Sequence, residues 1–176
     1  SRALNPVLVA VNNFIEETLA VHPFHSHIQI VREFDPRNPV VNIDTDEMRQ
    51  ALRNVIGNGV EVMPEGGTLK LRTEVVEQGW VRIDVSDTGP GIPPETLEKI
   101  FAPFFTTKAR GTGLGLAVVR KVVDRHQGKV DVESGVGKGT TFKLYLPLAA
   151  KTPQPLVERE PKPQTAVTRL GPGPAA

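Results

Sequence analysis

Two glycine-rich stretches decide the fold of this chain: Ser-Asp-Thr-Gly-Pro-Gly-Ile-Pro at residues 86–93 and Gly-Thr-Gly-Leu-Gly-Leu-Ala at residues 111–117. Residues 80–85 precede the first stretch, and their alternation of apolar and charged side chains predicts a half-buried strand. Asp87 is therefore expected at a strand end, in a sharp turn that contains glycine. A lone Asp-x-Gly is more often a surface turn, but a carboxylate held there suits the exocyclic amine of adenine and opposes guanine.

The second stretch predicts the start of a helix. Its glycines lead directly into apolar residues spaced as on a buried helical face, namely Leu116, Val118, Val119, Val122 and Val123. Free N–H groups and the positive dipole end of a helix attract phosphate. A dinucleotide-binding turn is the rival interpretation, since Asp131 lies at a suitable distance. The glycine spacing and the polar loop at residues 105–110, where that turn needs a strand, exclude it.

A third element is a helix predicted over residues 44–63, with Asp44 or Thr45 as its cap and one apolar stripe along it. Asn54 and Asn58 lie four residues apart, so their amides share one flank of this helix. Asparagine is a poor interior helix former, and two at this spacing indicate a purpose. Amide oxygens can occupy one or two positions on Mg²⁺ while water and phosphate oxygens fill the rest. Taken alone, such a pair is more often two solvated side chains.

The remaining pattern predicts an α/β two-layer domain with helices on one face of a mostly antiparallel sheet. A first helix is expected to start at Asn5-Pro6, with an apolar face that includes Val7 and Val11. Gln78 and Gly79 are expected at the turn of a hairpin. The predicted strands cover residues 28–34, 40–43, 68–76, 81–86, 129–133 and 140–147.

Composition limits the classes of protein to which the chain can belong. Its 176 residues are 39% hydrophobic and can bury one ordinary core, and no apolar run reaches the roughly 18 residues of a membrane span. The absence of cysteine excludes disulfides and thiolate metal sites, and a net charge of +1 gives no electrostatic case for nucleic acid. Residues 151–176 are rich in proline and glycine and are predicted to form a flexible tail or linker.

The four histidines do not form an evident site. Three of them, His22, His25 and His27, crowd into a predicted loop that has no carboxylate or cysteine partner, which favours solvated side chains over a metal site. His126 lies near the end of the last predicted helix, where the helix dipole is a sufficient explanation.

Together these motifs resemble the catalytic and ATP-binding domain of sensor histidine kinases, in the GHKL group of ATPases that also holds gyrase B, Hsp90 and MutL. The family's boxes occur in order over about residues 28–148: an N box at 54–63, a G1 box at 87–93, an F box at 101–108 and a G2 box at 111–117. The F box and short lid are most similar to the nitrogen-regulator branch. The resemblance implies the Bergerat fold, an α/β sandwich, with ATP and Mg²⁺ as cofactors.

The resemblance also implies roles for individual residues. By position, Asp87 would bind the adenine amine, Asn58 would ligate Mg²⁺ with Asn54 beside it, and Lys108 and Arg110 would reach the phosphates from a mobile lid. Asn54, Lys108 and Arg110 are accordingly the expected catalytic residues. The other expected nucleotide contacts are Gly89, Gly91, Ile92, Phe105, Thr106, Thr107, Gly111, Thr112, Gly113, Leu114, Gly115, Leu116 and Thr141.

Three positions depart from the family's pattern. Gly59 replaces the alanine that usually follows the second asparagine, and Val62 stands where a second alanine is common. Glycine weakens a helix by roughly 1 kcal/mol relative to alanine, and valine adds bulk near the adenine, so a modest nucleotide affinity is expected. Gln127 replaces a usual glycine, with little effect expected because Gly128 remains to end the helix.

The implied activity is transfer of the ATP γ-phosphoryl group to a histidine on a dimerisation domain, with a response regulator receiver domain downstream. None of the four histidines has the family's phosphoacceptor context. We therefore expect residues 1–27 to be a helix and lead-in from a dimerisation domain that this chain lacks, and residues 28–150 to be the catalytic domain. The expected location is the bacterial cytoplasm, without nucleic-acid or membrane contact by this part, whether or not the parent kinase is membrane-anchored.

Two other functions stay open at this point. A GHKL-type ATPase would hydrolyse ATP to drive a conformational cycle, but the glutamate that activates water in those relatives is replaced here by Asn54. A non-catalytic nucleotide-binding module is the other alternative, which the departures at Gly59 and Val62 keep open.

Overall fold

The computed structural model of the chain describes residues 2–25, 27–105 and 115–149. In this part of the chain, no helix has the length and apolar character needed to cross a membrane. The elements, in chain order, are β1 Val7–Ala10, α1 Val11–Val21, β2 Ile28–Glu33, β3 Val40–Ile43, α2 Thr45–Glu61, β4 Gly67–Val76, β5 Trp80–Asp87, α3 Pro94–Leu97, α4 Gly115–Arg125, β6 Lys129–Ser134 and β7 Thr140–Pro147.

Five strands form the main sheet in the order β2-β4-β5-β7-β6. Strand β2 runs parallel to β4, and the other neighbouring pairs are antiparallel. The expectation of a mostly antiparallel sheet is therefore confirmed, and the predicted strands agree with the observed ones within a residue. Strand β5 is central, and its last residue, Asp87, is paired with Leu69 of β4 and Thr140 of β7.

The two faces of this sheet differ because successive side chains of a strand point to opposite sides. Inward residues join α1, α2 and α4 in one buried core, which includes Phe14, Ile15, Leu52, Ile56, Val119, Val123, Leu71, Ile83, Phe142 and Leu144. The outer face carries ion pairs: the Arg82 guanidinium lies 2.8 Å from the Asp84 carboxylate and 2.9 Å from that of Glu74. The helices thus cover one face only, as the resemblance implies.

The N-terminal segment corrects the predicted first helix. Residues Val7–Ala10 form a strand that pairs with β3 in an antiparallel register, Val7 opposite Ile43 and Ala10 opposite Val40, and the helix begins only at Val11. The apolar run Val-Leu-Val-Ala reads equally well as an edge strand, which is why the helical period was extended too far. Val7 is 47% exposed and takes no part in the helical face.

Helix α1, which precedes residue 27, belongs to the same hydrophobic core as the rest of the domain. Val11, Phe14, Ile15 and Leu19 of α1 are buried in the same cluster as the side chains of α2 and the main sheet. At the other end, Leu148 forms a bridge with Val41, and the Ala149 N–H donates to the Val40 carbonyl at 2.9 Å. Strand β3 therefore has β1 on one side and residues 148–149 on the other. The predicted tail at 151–176 lies outside the described residues.

Helices α2 and α4 are antiparallel, since the start of α2 lies beside the end of α4 and Asn54 in the middle of α2 contacts the start of α4. At one end, the Asp44 side chain caps α2 by accepting from the N–H groups of Asp46 and Glu47, both at 3.1 Å. Hydrogen bonds from the backbone N–H groups of Asn5 and Glu47 hold the pKa of Asp44 below its ordinary value. The Asp44 N–H itself donates to Nε2 of His126 at 3.0 Å, at the end of α4.

This contact replaces the dipole explanation of His126. His126 is buried, with only 7% of the residue exposed. Nε2 accepts from Asp44, so the imidazole proton is on Nδ1, which lies 2.8 Å from the Val122 carbonyl and donates to it. His126 is therefore a neutral internal bridge between two helices.

Candidate nucleotide-binding site

The central residue of the site is Asp87, at the end of β5. Its side chain is buried, with 7% of the residue exposed, and Oδ1 accepts from the Gly89 N–H at 2.9 Å. Burial raises the pKa of the Asp87 carboxyl, and hydrogen bonds from the Gly89 and Thr140 N–H groups oppose that rise. A buried carboxylate fixed by two backbone donors is a directed acceptor for a ligand that brings its own N–H group.

The residues that pack against Gly59 and Val62 accommodate these two departures from the family's pattern. A Cβ at Gly59 would lie 2.9 Å from Cδ1 of Leu69 and 3.7 Å from Cβ of Asp87, so Leu69 fills the space that an alanine would take. A Cβ at Gly89 would lie 2.8 Å from Cγ2 of Val62, so the extra bulk of valine is accommodated by a glycine. These contacts give the two substitutions a packing role.

Asn54 and Asn58 project from α2 one helical turn apart, about 6 Å along the axis. The Asn54 amide donates from Nδ2 to the carbonyl of Gly115 at 3.1 Å, which leaves its Oδ1 available. The Asn58 side chain makes no hydrogen bond to any residue that the structure describes, although it is half-buried. Two free amide oxygens on one flank fit an oxygen-seeking cation such as Mg²⁺, and the role of Asn58 as its ligand stays a prediction.

Within the described ranges 2–25, 27–105 and 115–149, no cluster of three histidine, aspartate or glutamate side chains could hold a metal ion. The amide oxygens of Asn54 and Asn58 are ligands that Mg²⁺ could take at this flank, together with water and phosphate oxygens.

The F box is anchored at its first residue. The ring of Phe101 stands edge-on to that of buried Phe142, with centroids 6.2 Å apart, and the Arg120 guanidinium lies 4.7 Å from the Phe101 centroid. Ile92 and Phe105 are partly buried and pack against the core, on either side of this anchor in the chain. The expected contacts Thr106, Thr107, Lys108, Arg110, Gly111, Thr112, Gly113 and Leu114 lie outside the described residues.

Thr141 and its neighbour Thr140 lie on opposite faces of the sheet. The Thr141 hydroxyl lies 2.7 Å from that of Ser86, and these paired residues occupy the outer face of the sheet, opposite the face that holds the Asp87 side chain. Thr140, which is paired with Asp87 and buried, lies on the same face as the Asp87 side chain. The alternation of Phe142, Leu144 and Leu146 places even-numbered residues of β7 inward, and this signal was sufficient to select Thr140.

Helix α2 sets these groups in a row. Gly59 lies against Asp87, Asn58 follows, and Asn54 contacts Gly115 at the start of α4, where Leu116 is partly buried. The buried carboxylate is thus at one end and a helix N-terminus, which favours phosphate, at the other. The row has the polarity of an adenine nucleotide, with its base at one end and its phosphates at the other.

Comparison with known proteins agrees with this geometry. Residues 43–150 match the family described as histidine kinase-, DNA gyrase B-, and HSP90-like ATPase. The chain is 38% identical over 132 residues to the sensory histidine kinase/phosphatase NtrB of Vibrio alginolyticus, which covers 69% of this chain and 37% of that protein. It is 37% identical over 123 residues to sporulation kinase E of Bacillus subtilis, covering 70% and 17% respectively. The chain thus spans less than half the length of either relative.

Solved structures give the same result. The catalytic domain of histidine kinase ThkA is 34% identical with a TM-score of 0.73, and the match covers 82% of this chain and 97% of that domain. Full-length ShkA in complex with AMPPNP is 29% identical with a TM-score of 0.76, over 87% of this chain and 33% of ShkA. The family match takes in more than half of the chain, which therefore belongs to the histidine kinase-, DNA gyrase B-, and HSP90-like ATPases as a histidine kinase catalytic domain.

Proposed function

We propose that this domain binds ATP with Mg²⁺ and positions the γ-phosphoryl group for in-line transfer to a histidine on a dimerisation domain of the same parent kinase. The observation that carries the proposal is the row of groups beside α2, from the buried Asp87 carboxylate at the end of β5 past Asn58 and Asn54 to the start of α4 at Gly115. Phosphoryl transfer needs orientation and charge neutralisation more than covalent chemistry by the protein, and such a row supplies orientation.

In this proposal the residues divide the work by position. Asp87 accepts a hydrogen bond from the adenine amine, and Gly89, Gly91 and Ile92 supply a loop against which the base lies. Asn58 holds Mg²⁺, with Asn54 beside it, and the ion would neutralise charge on the phosphate oxygens when bound. Lys108 and Arg110 would supply positive charge to the phosphates, and backbone N–H groups at residues 111–115 would receive them.

The partners in this proposal are a histidine-bearing dimerisation domain and a response regulator. Support comes from relatives: ThkA, 32% identical over 85% of this chain, was solved in complex with the response regulator protein TrrA. ShkA was solved with AMPPNP, an ATP analogue, in the same fold. Since ATP and receiver domains are cytoplasmic in bacteria, we place the action of this domain there.

Hydrolysis of ATP by the domain alone is the second candidate. It needs a general base next to the attacking water, and Asn54 has an amide at the position where a glutamate serves in the hydrolysing relatives. The Asn54 amide also donates to the Gly115 carbonyl, which gives it a structural contact. Both points favour transfer over hydrolysis. The packing of Gly59 and Val62 with Leu69 and Gly89 weakens the case for a degenerate, purely binding module.

One set of assays separates the three functions. Titration calorimetry with ATP-Mg²⁺ and GTP-Mg²⁺ tests binding and the preference for adenine. Incubation with radiolabelled ATP then measures released phosphate and acid-labile phosphohistidine, with and without a dimerisation domain. The proposal expects tight preference for ATP, little phosphate release, and label on the added domain; release of phosphate without transfer would favour the ATPase.

A further inference from the structure

The loop between β6 and β7 packs directly onto the loop that follows Asp87. The Gly137 N–H donates to the Pro90 carbonyl at 2.7 Å, and the Ile92 N–H donates to Oγ of Ser134 at 2.8 Å. Two backbone groups of the loop at residues 88–93, which we call the nucleotide loop, are therefore hydrogen-bonded to a segment more than forty residues later in the chain.

The two loops touch backbone to backbone. Gly91 has φ +81°, and a Cβ there would lie 2.0 Å from the Gly135 carbonyl oxygen. Gly139 has φ +75°, and its Cβ would lie 2.2 Å from the carbonyl oxygen of Asp87. Both positions combine a left-handed backbone with a contact that no side chain could share. The position of the nucleotide loop therefore depends on the loop at 134–139.

Ser134 is the side chain that joins these segments. Besides accepting from Ile92, its hydroxyl lies 3.0 Å from the Gly139 carbonyl oxygen and 2.8 Å from the Thr140 hydroxyl. One lone pair receives the Ile92 N–H and the second accepts from Thr140, so the single proton is free to go to Gly139. All the hydrogen-bonding capacity of the hydroxyl is used, and it spans the nucleotide loop, the β6–β7 loop and the first residue of β7.

We propose that Ser134 is a positioning residue for ATP binding: without touching the nucleotide, its hydroxyl fixes the Ile92 amide and so holds the loop of Gly89 and Gly91 in register with Asp87. This inference rests on the proposed function, because it assigns a purpose to the loop that function requires. It differs from the roles above in that Ser134 lies outside all four sequence boxes.

The test compares Ser134→Ala with two other variants. Ser134→Ala leaves the Ile92 N–H unpaired, and its Kd for ATP-Mg²⁺ should rise about three- to tenfold, as expected for one lost hydrogen bond. Ser134→Thr restores the hydroxyl and should return most of that affinity. Ser86→Ala is the matched control, since it removes a hydroxyl with a 2.7 Å hydrogen bond from the outer face of the same sheet. Its affinity should equal that of the wild type.

Amide hydrogen exchange supplies a readout that does not depend on nucleotide. In Ser134→Ala without ATP, exchange at Ile92 should accelerate at least severalfold while exchange in the centre of β5 is unchanged. In a transfer assay, the KM for ATP should rise and kcat at saturating ATP should stay within about twofold, since a positioning loop affects binding of substrate and transition state alike.

The outcomes separate the inference from the proposed function. Wild-type affinity in Ser134→Ala, or equal losses in Ser134→Ala and Ser86→Ala, would overturn the positioning role while ATP binding by the unaltered chain stands. If the unaltered chain binds no ATP, the proposed function fails, and unchanged exchange at Ile92 in Ser134→Ala would then reject the positioning role separately.

Discussion

At the scale of single residues, Asp87 places a buried carboxylate in the site proposed for adenine. Its carboxylate is buried beside Gly59 and is supported by only two backbone donors, and burial raises its pKa. For an acid whose folded pKa is raised, the stability contribution is full below the unfolded pKa and is lost as pH rises through the folded pKa. At neutral pH, the negative charge of Asp87 therefore lowers the stability of the nucleotide-free domain.

Asp87→Ala should weaken ATP-Mg²⁺ about 10- to 100-fold, because it removes a charge-assisted hydrogen bond worth roughly 1.5–3 kcal/mol. Titration calorimetry measures the change. Asp131→Ala, which removes an exposed acid on β6, is the control and should bind as the wild type does. Equal affinities in all three chains would remove Asp87 from the adenine pocket.

Asp87→Asn should raise the melting temperature of the nucleotide-free domain at pH 7, since it keeps an acceptor for Gly89 and removes the buried charge. The gain should shrink as the pH is lowered through the raised pKa of the Asp87 carboxyl, because the wild-type side chain then becomes neutral. Over the same range ATP affinity of the wild type should fall, because a neutral carboxyl is a weaker acceptor for the adenine amine than a carboxylate. A melting temperature that is lower in Asp87→Asn at pH 7 would contradict the assignment of the burial effect.

Asn58→Ala should reduce the Mg²⁺ dependence of ATP binding about tenfold or more while adenosine binding changes little, since only the phosphates carry the ion. Titrations of ATP with and without Mg²⁺, and of adenosine, measure the two effects. Gln50→Ala, an exposed position on the same helix, is the control. Mg²⁺ dependence that persists unchanged in Asn58→Ala would reject the paired-asparagine argument.

At the scale of elements, the end of α4 contains a residue in an unfavourable backbone conformation, Gln127. The Gly128 N–H donates to the Val123 carbonyl at 2.9 Å and the Gln127 N–H to that of Asp124 at 3.0 Å, which is a Schellman motif. The left-handed position in this motif is Gln127, with φ +63°. The expectation of little effect at Gln127 overlooked that glycine is favoured at this position, one residue before Gly128.

Gln127→Gly should raise the free energy of unfolding by about 1 kcal/mol by relieving this backbone conformation. For a domain of this size, the melting temperature should rise by roughly 2–4 °C. Gly128→Ala is the counterpart: a Cβ there would lie 2.2 Å from the Tyr145 carbonyl oxygen, so it should destabilise by about 2 kcal/mol or more. Calorimetric melting of the three chains decides the matter, and a lower melting point for Gln127→Gly would refute the strain argument.

The elements also show what could be read from the sequence. Helix α2 with its cap, the hairpin of β4 and β5, and β7 were predicted because alternation and capping residues are local signals. Strand β1 was missed because its partner β3 lies thirty residues away and a short apolar run has no period of its own. His126 was assigned to the dipole because its acceptor role depends on Asp44, on another helix. Ser134 likewise acquires meaning only from Ile92, on another loop.

At the scale of the whole molecule, the arrangement favours transfer to a separate acceptor. His126 is buried between helices, and His22, His25 and His27 are at or beyond the end of α1, in the segment that precedes β2. The His22 ring packs on the ring of Phe24, with centroids 4.7 Å apart. Burial lowers the pKa of His22, and the positive charge of Arg53 lowers it further. None of these rings belongs to the row of residues along α2.

The chain alone should therefore bind ATP-Mg²⁺ and acquire no acid-labile phosphate, whereas a dimerisation domain supplied as a separate polypeptide should become slowly phosphorylated. Lys108→Ala should lower the rate of that transfer more than it lowers ATP affinity, because a lid cation matters most where charge develops on the moving phosphoryl group. Autoradiography after acid and base treatment identifies phosphohistidine. Label on the chain alone would direct attention back to its own four histidines.

Strand β3 has a consequence for how such a domain responds to its neighbours. It is clasped by β1 on one side and by residues 148–149 on the other, and it runs directly into Asp44, the cap of α2. Segments from the two ends of the described chain therefore pair with the same four-residue strand. A displacement of either segment would act first on β3 and then, through Asp44, on the helix that carries Asn54 and Asn58.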